Sequence, residues 1–122
     1  MVVAIDTSGL ESRRTGTGNY VYHLCHALIR IGGARYIFYG SPSWEDPSSS
    51  SGNRYLSGGR IPEHARVYHF PAFYSRYLRK LPRVVVTIHD VVFRIFPGDY
   101  PGSTRRRLEE AAARARSLAS FI

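Results

Sequence analysis

Apolar and polar positions change rhythm several times along the chain, and each change marks an element. Val2 to Ile5 is a short apolar run ending at Asp6, the pattern of a buried strand. Residues 7 to 18 are polar and glycine-containing, which predicts a loop. From Asn19 the apolar positions Val21, Leu24, Cys25 and Leu28 recur at helical spacing, with His23, His26 and Arg30 opposite. Gly32-Gly33 then stops that helix. Tyr36 to Tyr39 is aromatic and β-branched and predicts a second strand. Arg66 to Phe70, stopped by Pro71, predicts a third. Val84 to Ile88 is continuous and β-branched, so it predicts a fourth strand that is central and buried on both faces. A helix is expected from about Ser103 to Leu118, with Leu108, Ala111, Ala112 and Ala115 facing inwards.

The stretches between these elements read differently. Residues 41 to 60, including "PSSSSGN" and "SGG", are rich in Ser, Gly and Pro and predict a mobile loop. "PAFYSRYLRKLP" has room for a helical turn. The closing "ASFI" has the look of a fifth strand just beginning. Strands alternating with crossovers imply an α/β fold, a doubly wound parallel sheet with flanking helices. A sheet stopped at its fifth strand lacks the elements that cover one side, so residues 1–122 are expected to be one partial domain of a larger protein.

Composition narrows the classes. At 122 residues and 13.8 kDa there is room for one domain, and 43% hydrophobic with 21% charged residues is ordinary for a globular chain. No apolar run approaches the roughly 18 residues of a membrane span, so a soluble, cytoplasmic chain is expected. Its basic surface would still be able to rest peripherally on an anionic membrane. Cys25, the single cysteine, excludes an internal disulfide and lies on the apolar stripe of the first helix as buried filler. The net charge of +8 invites a nucleic-acid reading. Its basic residues are scattered, however, and Lys80 is the sole lysine among 17. No helix-turn-helix, zinc finger or RNP-type motif accompanies them. A nucleic-acid-binding domain therefore ranks below a partner that is an anionic small molecule or lipid.

The candidate chemistry gathers at one end of the expected sheet. With a strand order of 3-2-1-4, the first and fourth strands are neighbours, and ligands bind where the winding reverses between them. Gly16-Thr17-Gly18 follows the first strand there, and His89-Asp90 follows the fourth. Glycines admit a ligand close to the backbone, and the next helix start offers unpaired N–H groups to an anion. A third glycine near Val21 is missing, and so is an acidic residue after the second strand, which ends Tyr39-Gly40-Ser41. There is no Gly-Lys-Ser/Thr either, so a plain dehydrogenase or NTPase is disfavoured. Each of these residues also has a structural reading. The glycines suit a turn, His89 a loop carbonyl, and Asp90 a turn or helix cap. His69, ending the third strand, shares the ambiguity and is expected one strand further from the reversal. His23 and His26 need outside help to hold a metal and suit a solvated face better. Arg13 and Arg14 either decorate the loop or meet phosphate.

Taken together, "VAIDTSGL…RRTGTGNYVYHLCHAL" and "HFPAFYSRYLRKLPRVVVTIHDVVFRIFPGDYP" resemble the N-terminal domain of family 4 glycosyltransferases. The shared elements are an opening strand ending Ile-Asp, a G-x-G-polar-Tyr start to the helix, and a later Thr-Ile-His-Asp before an aromatic and Phe-Pro. The resemblance implies the N-terminal half of a GT-B enzyme, in which two Rossmann-like domains face a cleft. By that likeness the enzyme moves a hexosyl or mannosyl group from a nucleotide sugar to a glycan or lipid-linked acceptor, with no cofactor or metal. Gly16, Thr17 and Gly18 would approach the donor diphosphate. His89, with Asp90, would act at the donor sugar or its leaving phosphate, and Arg13, Tyr20 and His69 would lie on the acceptor side. The donor-gripping C-terminal domain, in cis or in trans, is absent from these residues, so transfer by this chain alone is not expected. The contrasting reading is a non-catalytic remnant or interaction module that keeps the half-fold.

Overall fold

The computed structural model describes residues 1–12, 15–41, 54–56 and 60–122. Its centre is a five-stranded, all-parallel sheet built from β1 (Val2–Asp6), β2 (Arg35–Tyr39), β3 (Arg54–Leu56), β4 (Val67–Phe70) and β5 (Val84–Val86). Among the described residues three α-helices accompany it: α1 (Gly16–Ile31), the single turn α2 (Val92–Ile95), and α3 (Gly102–Leu118). The order across the sheet is β3-β2-β1-β4-β5, so winding reverses between β1 and β4. This is a Rossmann-like α/β arrangement.

Strand alternation explains the two cores. Ile5 of β1 and Tyr36 and Phe38 of β2 point to one face, where Val21 and Cys25 of α1 meet them. Ala4, Tyr39, Tyr68, Phe70, Val84 and Val86 point to the other, against Phe93, Ala112 and Ala115. The small inner residues of α3 let that helix sit close to the sheet. Gly32 takes φ +69° and returns its N–H to the Leu28 carbonyl at 3.0 Å, which ends α1 where the glycine pair predicts.

Two expectations about the sheet are corrected. Arg54–Leu56 is a strand pairing with β2, inside the stretch expected to be only a mobile loop; residues 42–53 and 57–59 of that stretch lie outside the described residues. A three-residue strand flanked by Ser and Gly carries too little pattern to be seen in sequence, and its partner's backbone supplies the pairing. Every later strand then moves one place along. The strand expected third is β4, directly beside β1, and it separates β1 from Val84–Val86. The Val84 strand is accordingly peripheral. Beyond it lies one parallel bridge, Val85 to Phe121, where a further strand was expected to begin. Residues 71–83 form turns, and no helix joins β4 to β5.

Among the described residues no helix is long and apolar enough to cross a membrane.

Candidate functional site

The carboxyl edge of the sheet is organised by a buried aspartate that sequence reading passed over. Asp6, 2% exposed, ends β1. It accepts the Ser8 N–H at 2.9 Å and the Ser8 hydroxyl at 3.0 Å, and also the hydroxyl of Ser75, which lies in the turns after β4. Burial raises its pKa above the usual carboxylate value, and the serine hydrogen bonds oppose that rise. Beside it the Thr7 hydroxyl donates to the Tyr39 carbonyl at 2.8 Å and accepts the Ser41 N–H at 3.3 Å. Gly40 crosses this cluster at φ +106°, where a Cβ would come within 2.8 Å of Asp6 Oδ1. The ends of β1 and β2 and the turns after β4 are thereby tied together across the reversal point. The one sequence signal was Asp-x-Ser, the spacing of an aspartate turn. Nothing local pointed to Ser75.

At the start of α1, Gly16, Thr17 and Gly18 lie inside its first turn, so the loop expected there is already helix. Thr15 caps it, its hydroxyl accepting the Gly18 N–H at 3.2 Å and its carbonyl the Asn19 N–H at 3.1 Å. The N–H groups of Gly16 and Thr17 have no partner among the described residues. Gly16 has no positive φ, and a Cβ there would meet nothing within 4 Å. Arg13 and Arg14 lie outside the described residues.

His89 reaches this helix by a route the expected strand order did not contain. After β5 the Thr87 N–H donates to the Phe70 carbonyl at 2.9 Å as a last rung of the β4–β5 ladder, and His89 then lies over Pro71 at the end of β4. The His89 ring then packs edge-on against Tyr20, with centroids 4.7 Å apart and planes at 80°. Its Nε2 lies 2.7 Å from the Pro71 carbonyl. A carbonyl only accepts, so Nε2 carries the proton in this contact. The structural role open to His89 in sequence is thus real, and the same bond aims the ring at α1. Adjacent strands do not bring the two motifs together; a crossing segment does.

Asp90 accepts the Val92 N–H at 3.2 Å, the turn-forming role. His69 pairs in register with Ile5 on the α1 side of the sheet, one strand nearer the reversal point than expected. Its Nε2 lies 3.0 Å from the Thr87 hydroxyl, and burial drives its pKa down to about 4. It is therefore a neutral ring at physiological pH. On the outer side of α1, Tyr22 lies against both His23 and His26, at 5.3 and 4.3 Å.

The arrangement places an exposed helix start, an oriented imidazole and the half-exposed Tyr20 ring at one corner of the carboxyl edge. It can hold an anion at backbone N–H groups and present a ring nitrogen beside it. No family model, no curated protein and no solved structure matches the chain.

Proposed function

We propose that this chain is the acceptor-side, N-terminal domain of a family 4 glycosyltransferase of the GT-B fold. The observation that carries this reading is the Tyr20–His89 contact, which joins the two most distinctive stretches of the sequence at the reversal point of the sheet. In the reaction, the bond from the sugar C1 to the nucleotide's phosphate breaks and a bond from C1 to the acceptor oxygen forms. The acceptor proton passes to the departing phosphate. The first turn of α1 at Gly16 and Thr17 faces that phosphate with unpaired N–H groups. His89, held by Pro71, orients the donor sugar or its leaving phosphate, while Tyr20 and the neutral His69 shape the acceptor side. A second domain supplies the grip on the nucleotide.

The test is transfer from a panel of sugar nucleotides by the enzyme that joins this domain to its donor-binding partner. His89→Ala should lower turnover on the order of 100-fold, the usual loss when a positioned transition-state donor is removed. His23→Ala, on the outer side of α1, should leave it unchanged. Equal effects of the two substitutions, with both proteins shown folded by their melting curves, would move the site elsewhere.

A further inference from the structure

The short helix α2 and the residues that cap it leave an apolar surface open to solvent. Helical spacing sets Phe93 on one side of this turn, where it is buried in the core with Ala112 and Ala115 and stacks on Phe73. The same spacing brings Val91, Ile95, Val92 and Phe96 together along the other side. Ile95 and Phe96 are 63% and 57% exposed there, and Val91 and Val92 are also open to solvent. A helix that is apolar all round is ordinarily buried, and an apolar side left in water marks a contact. Arg94 leaves the turn between the two sides, its guanidinium 5.9 Å from the Phe93 ring centroid. Residues 90–110 hold four arginines and four carboxylates, with Asp90 capping Val92 and Arg105 paired to Glu109. Charges near the patch therefore balance, and the apolar side chains supply the local attraction.

Size and charge select the occupant. A large side chain covers about 150–250 Å² in full, so four at these exposures offer on the order of 400 Å². Each partner of a standard protein interface buries about 800 Å², which disfavours a second copy or another globular protein. The whole chain carries a net charge of +8, so two copies repel each other while an anionic surface attracts either one. Among the described residues no helix is long and apolar enough to cross a bilayer, so the contact is with its surface. Side chains projecting from a single turn form a wedge that enters the boundary between headgroups and acyl chains. The long stem of Arg94 keeps its charge at the level of the lipid phosphates. We propose that α2 docks this chain on an anionic lipid bilayer, with Val91, Val92, Ile95 and Phe96 inserted. Only a lipid surface is required, so the proposal stands apart from the transfer reaction.

The full chain is floated with vesicles of phosphatidylcholine alone and of phosphatidylcholine mixed equally with phosphatidylglycerol. Binding to the mixed vesicles is expected, with roughly tenfold weaker binding to the neutral ones. Ile95→Ser and Phe96→Ser should each weaken it roughly tenfold, the loss of one large side chain from the bilayer. Ile31 is more exposed still, but it ends α1 at the opposite edge of the sheet, so Ile31→Ser should change nothing. Phe96→Trp should bind, and brominated acyl chains should quench its emission more strongly than that of the native Trp44. Flotation with neither vesicle, equal binding to both, or equal losses from Ile95→Ser and Ile31→Ser overturns the proposal. A dimer in sedimentation equilibrium that Ile95→Ser abolishes assigns the patch to a second copy and overturns it too. Should the serine variants lose their folded circular-dichroism spectra, Phe96→Trp decides: quenching no greater than in the native protein overturns it.

Discussion

Tyr39 and Asp6 lie at the same end of neighbouring strands, and both are buried, yet they are served very differently. Three donors converge on the Asp6 carboxylate, whereas the Tyr39 hydroxyl has no partner among the described residues. The Tyr39 ring packs edge-on against Tyr77, and burial pushes its ionisation far above the usual tyrosine range. Leaving a buried hydroxyl unmade costs about 1–3 kcal/mol, while the ring itself contributes packing. Tyr39→Phe keeps the ring and removes the cost, so it should raise the free energy of unfolding by about 1 kcal/mol, read from urea titrations. A fall of that size would show that the hydroxyl is held by a partner after all. Cys25 is a simpler case. Its thiol is buried and pushed up to about 12, which makes it the inert filler its place on the helix stripe predicts.

At the scale of the element, α1 divides its residues between folding and the proposed chemistry. Val21 and Cys25 hold it to the sheet, and Thr15 and Gly32 set its ends. Gly16 does neither, because its backbone is ordinary and a Cβ there would meet open space. Gly16→Ala should therefore leave stability unchanged or raise it by about 0.5 kcal/mol, through the lower entropy of the unfolded chain. If a diphosphate approaches this turn, the same methyl should weaken donor use in the transfer assay by at least several-fold. Unaltered transfer together with unaltered stability would return the glycine to a simple helix start. The end of α1 and the limits of α3 are legible in the sequence because periodicity and a glycine stop are local signals, whereas α1 begins at Gly16, three residues before the periodicity that marks it. The order of the sheet is not, since β3 is three residues long and its place depends on pairing with β2 across residues without apolar alternation. The site is legible in its members and not in its assembly. Gly16, Tyr20 and His89 can be picked out singly, but their meeting rests on the hydrogen bond of His89 to the Pro71 carbonyl and its ring contact with Tyr20, which no spacing announces. Ser75, 69 positions from Asp6, is invisible for the same reason.

For the whole molecule, two buried titrating groups pull stability in opposite directions as pH changes. The folded pKa of His69 is depressed from 6.5 to about 4, so the unfolded chain binds more protons in that window. Its contribution is present above the upper value and lost as pH falls towards the lower one, about 3 kcal/mol in all from 6.5 to 4. Asp6 is raised, so its contribution is present below its unfolded value of 3.8 and lost as pH rises through its folded one. Urea midpoints should thus fall between pH 6.5 and pH 4 in the native protein and stay flatter in His69→Leu. A slope unchanged by that substitution would mean that the histidine is solvated. The position of β1 in the middle of the sheet also bears on how the chain is made. β2 pairs with one side of β1 soon after it leaves the ribosome, but Ala4 pairs with Tyr68 on the other side. At about 5–20 residues per second, that second edge stays open for several seconds of synthesis. During this interval the Ser75 donor to Asp6 has not yet been made, so the carboxylate takes that hydrogen bond from water until the turns after β4 follow.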